Sequence, residues 1–149
     1  MSKVVGRLTK QIAQTGDINA RLGFYKKLVE ELQKRDMPRA IQCCEEAIEL
    51  ACLPENADSC RADLAELQFT LGTVYARSGK YLKAISIAYD VLPLIEKLNN
   101  RYLHGRTINL IAVSNGFIGN FYEALNQFMT TLEIFKEIKN RSWEAATLN

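Results

Sequence analysis

From about Asn19 onward, apolar residues recur at helical spacing: Tyr25, Leu28, Val29 and Leu32 sit at i, i+3, i+4 and i+7, on one face of a helix. A second helix is predicted from Pro38 to about Leu53, with Ala40, Ile41, Cys44, Ala47, Ile48 and Ala51 turned inward. Asp36 is its expected N-cap, and Pro38 suits the first turn, where its missing N–H leaves no bond unmade. Pro54 ends that helix, and Asp58 or Ser59 stands ready to cap the next, over about Cys60–Ser78. Further helices are expected over Tyr81–Leu98, Arg101–Phe117 and Phe121–Lys139, separated by Ser78-Gly79-Lys80, Asn99-Asn100 and Gly119-Asn120. Pro93 should bend the helix that contains it. Near the start, Val5, Leu8 and Ile12 form a shorter stripe, stopped by Thr15-Gly16-Asp17, that either caps the first helix pair or frays. Sustained alternation of apolar and polar residues, the mark of a strand, is missing, so the fold class read from the pattern is all-α.

The helices come in pairs that repeat. Leu71-Gly72-Thr73-Val74-Tyr75 and Gly79-Lys80-Tyr81-Leu82-Lys83-Ala84 return 40 residues later as Ile111-Ala112-Val113-Ser114-Asn115 and Gly119-Asn120-Phe121-Tyr122-Glu123-Ala124. Asn100-Arg101 recurs as Asn140-Arg141 at the same offset. The expected division is an N-terminal segment over 1–18, then repeats over 19–57, 58–99 and 100–139 and the start of a fourth over 140–149. One helix pair cannot bury its apolar face alone, so such units stack side by side into a solenoid. On this reading the chain stops inside the opening helix of the fourth unit and belongs to a longer protein.

Leu71-Gly72-x-x-Tyr75 followed by Gly79-x-Tyr81-x-x-Ala84 resembles the tetratricopeptide repeat. The resemblance implies a right-handed α-solenoid of antiparallel helix pairs over roughly 19–149. It assigns packing roles to Leu71, Gly72, Tyr75, Tyr81 and Ala84, and to Ala112, Phe121, Ala124 and Phe128 one unit on. Small residues at Gly72 and Ala84 would let the two helices of a pair approach closely, with Leu71, Tyr75 and Tyr81 filling the space around the contact. The pattern departs from the family at Gln68 and Ile108, where a large aromatic is usual, and at Ala88 and Asn115. A period of 40 exceeds the usual 34 and is similar to the long-repeat branch found in bacterial signalling proteins, an affinity carried largely by the segment from Glu137 to Asn149. That branch includes peptide-sensing regulators and the N-terminal sensor regions of cyclases and kinases. The resemblance implies a non-catalytic module that binds a protein or peptide, as the sensor or docking region of such a protein.

Helix geometry then nominates a groove. If Gly72 and Ala112 face their sister helices, Phe69, Thr73, Ala76 and Arg77 line the concave side in one unit, and Asn109, Val113, Gly116 and Phe117 in the next. Glu66 and Arg106 fall one turn earlier on the same face. Asn109 and Asn149 are suited to hydrogen-bond a peptide backbone, Arg77 or Arg106 to hold a carboxylate, and Phe69 or Phe117 to anchor an apolar side chain. Arg61, Arg101 and Arg141 recur at helix starts, against the helix dipole, and are expected to bond to a neighbouring unit. An alternative function is self-association, a homodimer formed through an open last helix bearing Trp143 and Leu148.

Composition narrows the classes further. Of 149 residues, 48% are hydrophobic and 24% charged, which is globular rather than disordered composition. The net charge of +2 hides an asymmetry: 1–27 is basic and 41–66 acidic. Solvated helix faces give the same asymmetry, and without a basic stripe interleaved with aromatics no nucleic acid partner is expected. Neither an apolar run of roughly 20 residues nor a secretory signal is present, so the expectation is no membrane and a cytoplasmic location. Cys43, Cys44, Cys52 and Cys60 match no zinc spacing and read as small packing residues, with a redox approach of Cys52 and Cys60 as the minor alternative. His104, the one histidine, is expected on an exposed helix surface without a catalytic partner. No cofactor or metal is expected.

Overall fold

The computed structural model describes residues 2–148, with side chains for 2–139 and Arg141. All regular elements among these are helices: α1 (Lys3–Gln14), α2 (Ile18–Leu32), α3 (Met37–Cys52), α4 (Arg61–Arg77), α5 (Tyr81–Lys97), α6 (Arg101–Phe117) and α7 (Phe121–Leu148). Each packs on the next in sequence, and α4 also touches α2 and α6. Apart from the eight-residue connection between α3 and α4 the turns are three or four residues long, so sequential packing makes neighbours antiparallel, and the direct contacts of α2 with α4 and α4 with α6 set alternate helices side by side as a solenoid does. α1 lays Val5, Leu8 and Ile12 against α2, so this first stripe is packed rather than frayed.

Local chemistry fixes most of the boundaries. The Asp36 side chain accepts a hydrogen bond from the Arg39 N–H at 3.2 Å, with Pro38 in the first turn of α3. Between α4 and α5, Gly79 takes φ 77°, and between α6 and α7 Gly119 takes φ 90°, the left-handed conformation open to glycine at little cost. These turns let the Lys80 N–H reach the Tyr75 carbonyl at 2.8 Å and the Asn120 N–H reach that of Asn115 at 2.9 Å, satisfying carbonyls a helix end would otherwise strand. Asn99 plays the glycine role after α5 with φ 54°. α5 itself continues through Pro93.

Two expected boundaries are corrected. Neither Asp58 nor Ser59 caps α4; Cys60 holds the cap position without a side-chain bond, fully buried, with its thiol 3.8 Å from Asn19 Oδ1. More importantly, the turn expected at Asn140-Arg141 does not form, because α7 runs unbroken through it to Leu148. Lys139 stands where Asn99 adopts its positive φ, and lysine has neither the short polar side chain nor the steric freedom that favours that conformation.

The core follows the repeat. Ala40, Cys44, Ala47, Leu67, Val74, Ala84, Ala88, Ile95 and Ala112 are shut off from solvent, and Leu71, Tyr75, Ile111 and Ala124 nearly so. At Gly72 an added Cβ would lie 3.0 Å from Leu110 Cδ2, 3.5 Å from Ile87 Cγ2 and 3.7 Å from the Ala84 carbonyl, so this position meets both its sister helix α5 and the next A helix, α6. Gly105 is also at a close approach, which the pattern did not disclose: a Cβ there would lie 3.0 Å from Phe135 and 3.1 Å from Ile134, both on its sister helix α7. Tyr81 is half-buried, stacked on Phe117 with ring centroids 4.9 Å apart.

Phe121 and Phe128 correct the packing assignments, being 72% and 38% exposed. Tyr81, the counterpart of Phe121, is covered by Phe117 on the following helix, whereas no described element follows α7. The arginines also differ from expectation. Arg61 pairs locally with Asp58 at 3.0 Å, Arg101 reaches Glu137 on its own sister helix at 2.8 Å, and Arg141 is exposed. A short local acid satisfies the first, and the α6–α7 approach the second.

His104 is half-buried rather than exposed, its Nδ1 3.1 Å from Arg101 and its Nε2 3.9 Å from Glu96. Burial holds its pKa below the usual histidine value, and Arg101 acts in the same direction against the weaker opposite pull of Glu96. The unfolded chain therefore takes up this proton first as pH falls, so stability is complete above the ordinary histidine value of about 6.5 and declines as pH drops through it. Thermal melts from about pH 8 to pH 5 should show a shallower acid decline for His104→Gln than for the parent chain. Equal slopes would remove His104 from that account.

Candidate functional site

Alternate helices α2, α4 and α6 share one face of the stack, and two hollows open on it, so we term it the concave face. Because α4 and α6 are related by the 40-residue offset, residues at matching positions fall in rows across this face: Phe69 with Asn109, Thr73 with Val113, Arg77 with Phe117, and Glu66 with Arg106. A groove of about 450 Å³ opens between α4 and α6, lined by Phe69, Thr73, Ala76 and Arg77 from one side and by Arg106, Asn109, Leu110, Val113 and Phe117 from the other, with Tyr81 closing one end. Phe69 and Leu110 supply an apolar floor, both almost fully buried. Phe117, although 68% exposed, is held in place by its stack on Tyr81.

A second hollow of about 590 Å³ continues toward α2 and shares Phe69, Thr73, Arg77 and Arg106 with the first. Its other walls are polar: Lys26, Glu30, Gln33, Lys34, Glu66 and Thr70. The concave face therefore changes character along its length, from a charged end over α2 to an apolar end over α6.

Seven of the nine nominated residues thus meet in the groove between α4 and α6, namely Phe69, Thr73, Arg77, Arg106, Asn109, Val113 and Phe117. Glu66 lies in the adjoining hollow, and Asn149 is outside the described residues. Gly116 has open space around it but is absent from the lining. The α2 contribution was missed at the sequence level, although Lys26 precedes Glu66 by the same 40 residues and could have been read from that offset.

The charges are held in different ways. Lys26 donates to Asp63 and, at 2.6 Å, to Glu66; burial pulls its pKa down, but these two carboxylates outweigh it and leave the ammonium above its ordinary value. Lys34 pairs with Glu31 at 3.1 Å. Arg77 donates to Gln33 Oε1 at 2.9 Å, tying α4 to α2. The Arg106 guanidinium lies 4.7 Å from the centre of the Phe69 ring and 5.6 Å from that of Tyr102.

On the opposite side of the solenoid the polar groups serve packing. Tyr75 donates to Glu45 at 3.0 Å, and burial together with that bond raises its pKa. Asn115, which replaces the tyrosine of the preceding unit, joins a chain through Gln127 at 2.8 Å to the Tyr89 hydroxyl at 2.9 Å. Cys43, Cys44 and Cys60 are buried free thiols and Cys52 an exposed one; burial pushes the Cys44 thiol up to about 12. Among the described residues no cluster of His, Cys, Asp and Glu is arranged to hold a metal ion, and no helix is long and apolar enough to cross a membrane.

No family model matches the chain, and no curated protein matches it. Among solved structures, the crystal structure of aspartyl phosphate phosphatase F from Bacillus subtilis is similar, with a TM-score of 0.78 and 18% sequence identity. The match covers 89% of this chain and 34% of that protein, so the chain spans about a third of its length. At this identity the likeness is one of fold: an all-helical arrangement of stacked helices.

Proposed function

We propose that this chain is a non-catalytic tetratricopeptide-type module of a bacterial signalling protein, acting as a sensor or docking region that binds a peptide or protein segment in the concave groove. The observation that carries this reading is the groove between α4 and α6, where an apolar floor of Phe69 and Leu110 is bordered by Asn109, Arg77 and Arg106. A peptide needs both kinds of surface: amide and guanidinium groups for its backbone and termini, and an apolar recess for an anchoring side chain. The division into repeats over 19–57, 58–99 and 100–139 belongs to the same proposal and is supported by the matched rows of groove residues. The similarity to aspartyl phosphate phosphatase F extends over 34% of that protein, and this chain is given the recognition part of such an assembly and no catalytic step.

Selection of short peptides from a display library tests the proposal. Binding of the enriched sequences should weaken roughly tenfold in Asn109→Ala and in Phe117→Ala, with melting temperatures close to the parent. Enriched peptides that bind both variants as well as the parent would refute the groove as the site.

A second reading, self-association, is favoured by α7. Phe121, Tyr122, Leu125, Met129 and Leu132 all lie exposed along it, whereas on the matching face of α5 only Leu82 and Tyr89 are exposed and Tyr81, Ile85 and Leu92 are partly covered. Such a face suits a second copy packed antiparallel about a two-fold axis. Sedimentation should then reveal dimers that dissociate on dilution and are lost in Leu125→Glu; a monomer at every concentration would dismiss this reading.

A further inference from the structure

The hollows of the concave face converge on two residues. Phe69 and Arg106 line the apolar groove, the polar hollow over α2 and a third recess beside Tyr102 and Leu103. Arg106 thus borders all three recesses of the face.

The cations of this face are not equivalent. Lys26 is neutralised by Asp63 and Glu66, Lys34 by Glu31, and Arg77 is engaged by the neutral amide of Gln33. Arg106 meets no carboxylate within ion-pair distance among the described residues, and its positive charge is met only by the faces of Phe69 and Tyr102. Glu66, the acid nearest in the repeat geometry, already receives the Lys26 ammonium at 2.6 Å. Aromatic faces position a guanidinium without using its N–H donors, so the fork that pairs with a carboxylate stays available. In the polar hollow Lys26 and Lys34 are balanced by Asp63, Glu66 and Glu31, whereas the groove between α4 and α6 is lined by Arg77 and Arg106 and, among the described residues, by no acidic side chain.

From this, and resting on the peptide-binding reading above, we infer that the groove selects an acidic peptide: a carboxylate seats on Arg106 with Arg77 beside it, and an adjacent apolar side chain enters the recess formed by Phe69, Tyr81, Leu110 and Phe117. The charge supplies the selectivity and the recess the anchor. A lysine at 106 would keep the charge but lose the planar fork and its stack on the rings, so the site discriminates by geometry as well as by sign.

Fluorescence-polarisation titrations of three labelled peptide pools test this. Each pool shares a phenylalanine and otherwise neutral positions, and carries glutamate, glutamine or lysine beside it. The parent chain should bind the glutamate pool roughly tenfold more tightly than the glutamine pool at low salt, and the lysine pool least. Arg106→Gln should abolish the glutamate preference, so that the glutamate and glutamine pools bind that variant alike, and Arg106→Lys should restore part of it. Equal binding of the glutamate and glutamine pools to the parent, weakened for both by Phe117→Ala, would overturn the acid selectivity and leave the groove reading intact. If no pool binds in a manner sensitive to Phe117→Ala, both fall together. The parent-chain comparison needs no variant, so a misfolded substitution cannot shield the inference.

Discussion

Ala84→Arg should destabilise the fold by about 4 kcal/mol or more, enough to lower the melting temperature by roughly 10 °C. Ala84 has no solvent exposure, and its carbonyl oxygen lies 3.7 Å from where a Cβ on Gly72 would sit. Overpacking a close helix contact costs about 1–3 kcal/mol, and an unpartnered buried charge adds a comparable or larger amount. Neither cost is easily escaped, because α4 is braced on its far side by α2 and α3 and by α6 beyond Gly72. Arg77→Ala is the control: the side chain is exposed and makes one bond to Gln33, so its loss should stay within about 0.5 kcal/mol. Equal melting temperatures for the two variants would invalidate the assignment of the close contact.

Leu67→Ala should cost in the upper part of the usual range for a core leucine, about 2–5 kcal/mol. Leu67 is fully buried on α4, the helix that touches α2, α3, α5 and α6. A cavity beside a peripheral helix shrinks when that helix moves inward, but one on a helix held from several sides stays open, and the residual volume sets the penalty. Chemical denaturation of the variant beside Leu82→Ala, whose side chain projects into solvent, measures this directly. A loss below about 1 kcal/mol for Leu67→Ala would place the core elsewhere.

The features legible in the sequence were those the repeat imposes. A 40-residue offset aligns α4 with α6 and α5 with the first part of α7, and glycine at 79 and 119 fixes both turns through a conformation other residues resist. Spacing around Gly72 and Ala112 was enough to bring Phe69, Thr73, Arg77, Asn109, Val113 and Phe117 to one groove. Features set by a particular neighbour were not legible. Phe121 matches Tyr81 in pattern, but burial of Tyr81 depends on Phe117 of the following helix, a contact no repeat alignment supplies. The unbroken α7 turns on one substitution, lysine at 139 where the preceding unit has Asn99 in a left-handed conformation. His104 is expected on an exposed surface because no partner for it can be read from the sequence, yet Arg101 and Glu96 approach it from two helices. The aromatic bed of Arg106 spans Phe69 on α4 and Tyr102 on α6, and only the packing of those helices brings it together.

The claim on which function depends is that ligands enter the concave face across α2, α4 and α6. Backbone amide chemical-shift mapping with a library-selected peptide measures it most directly. Shifts should concentrate at Phe69, Thr73, Arg77, Arg106, Asn109, Val113 and Phe117 and leave α3 and α5 beyond Tyr81 unmoved. Shifts confined to the α3 and α5 surface, or to the exposed stripe of α7, would contradict it.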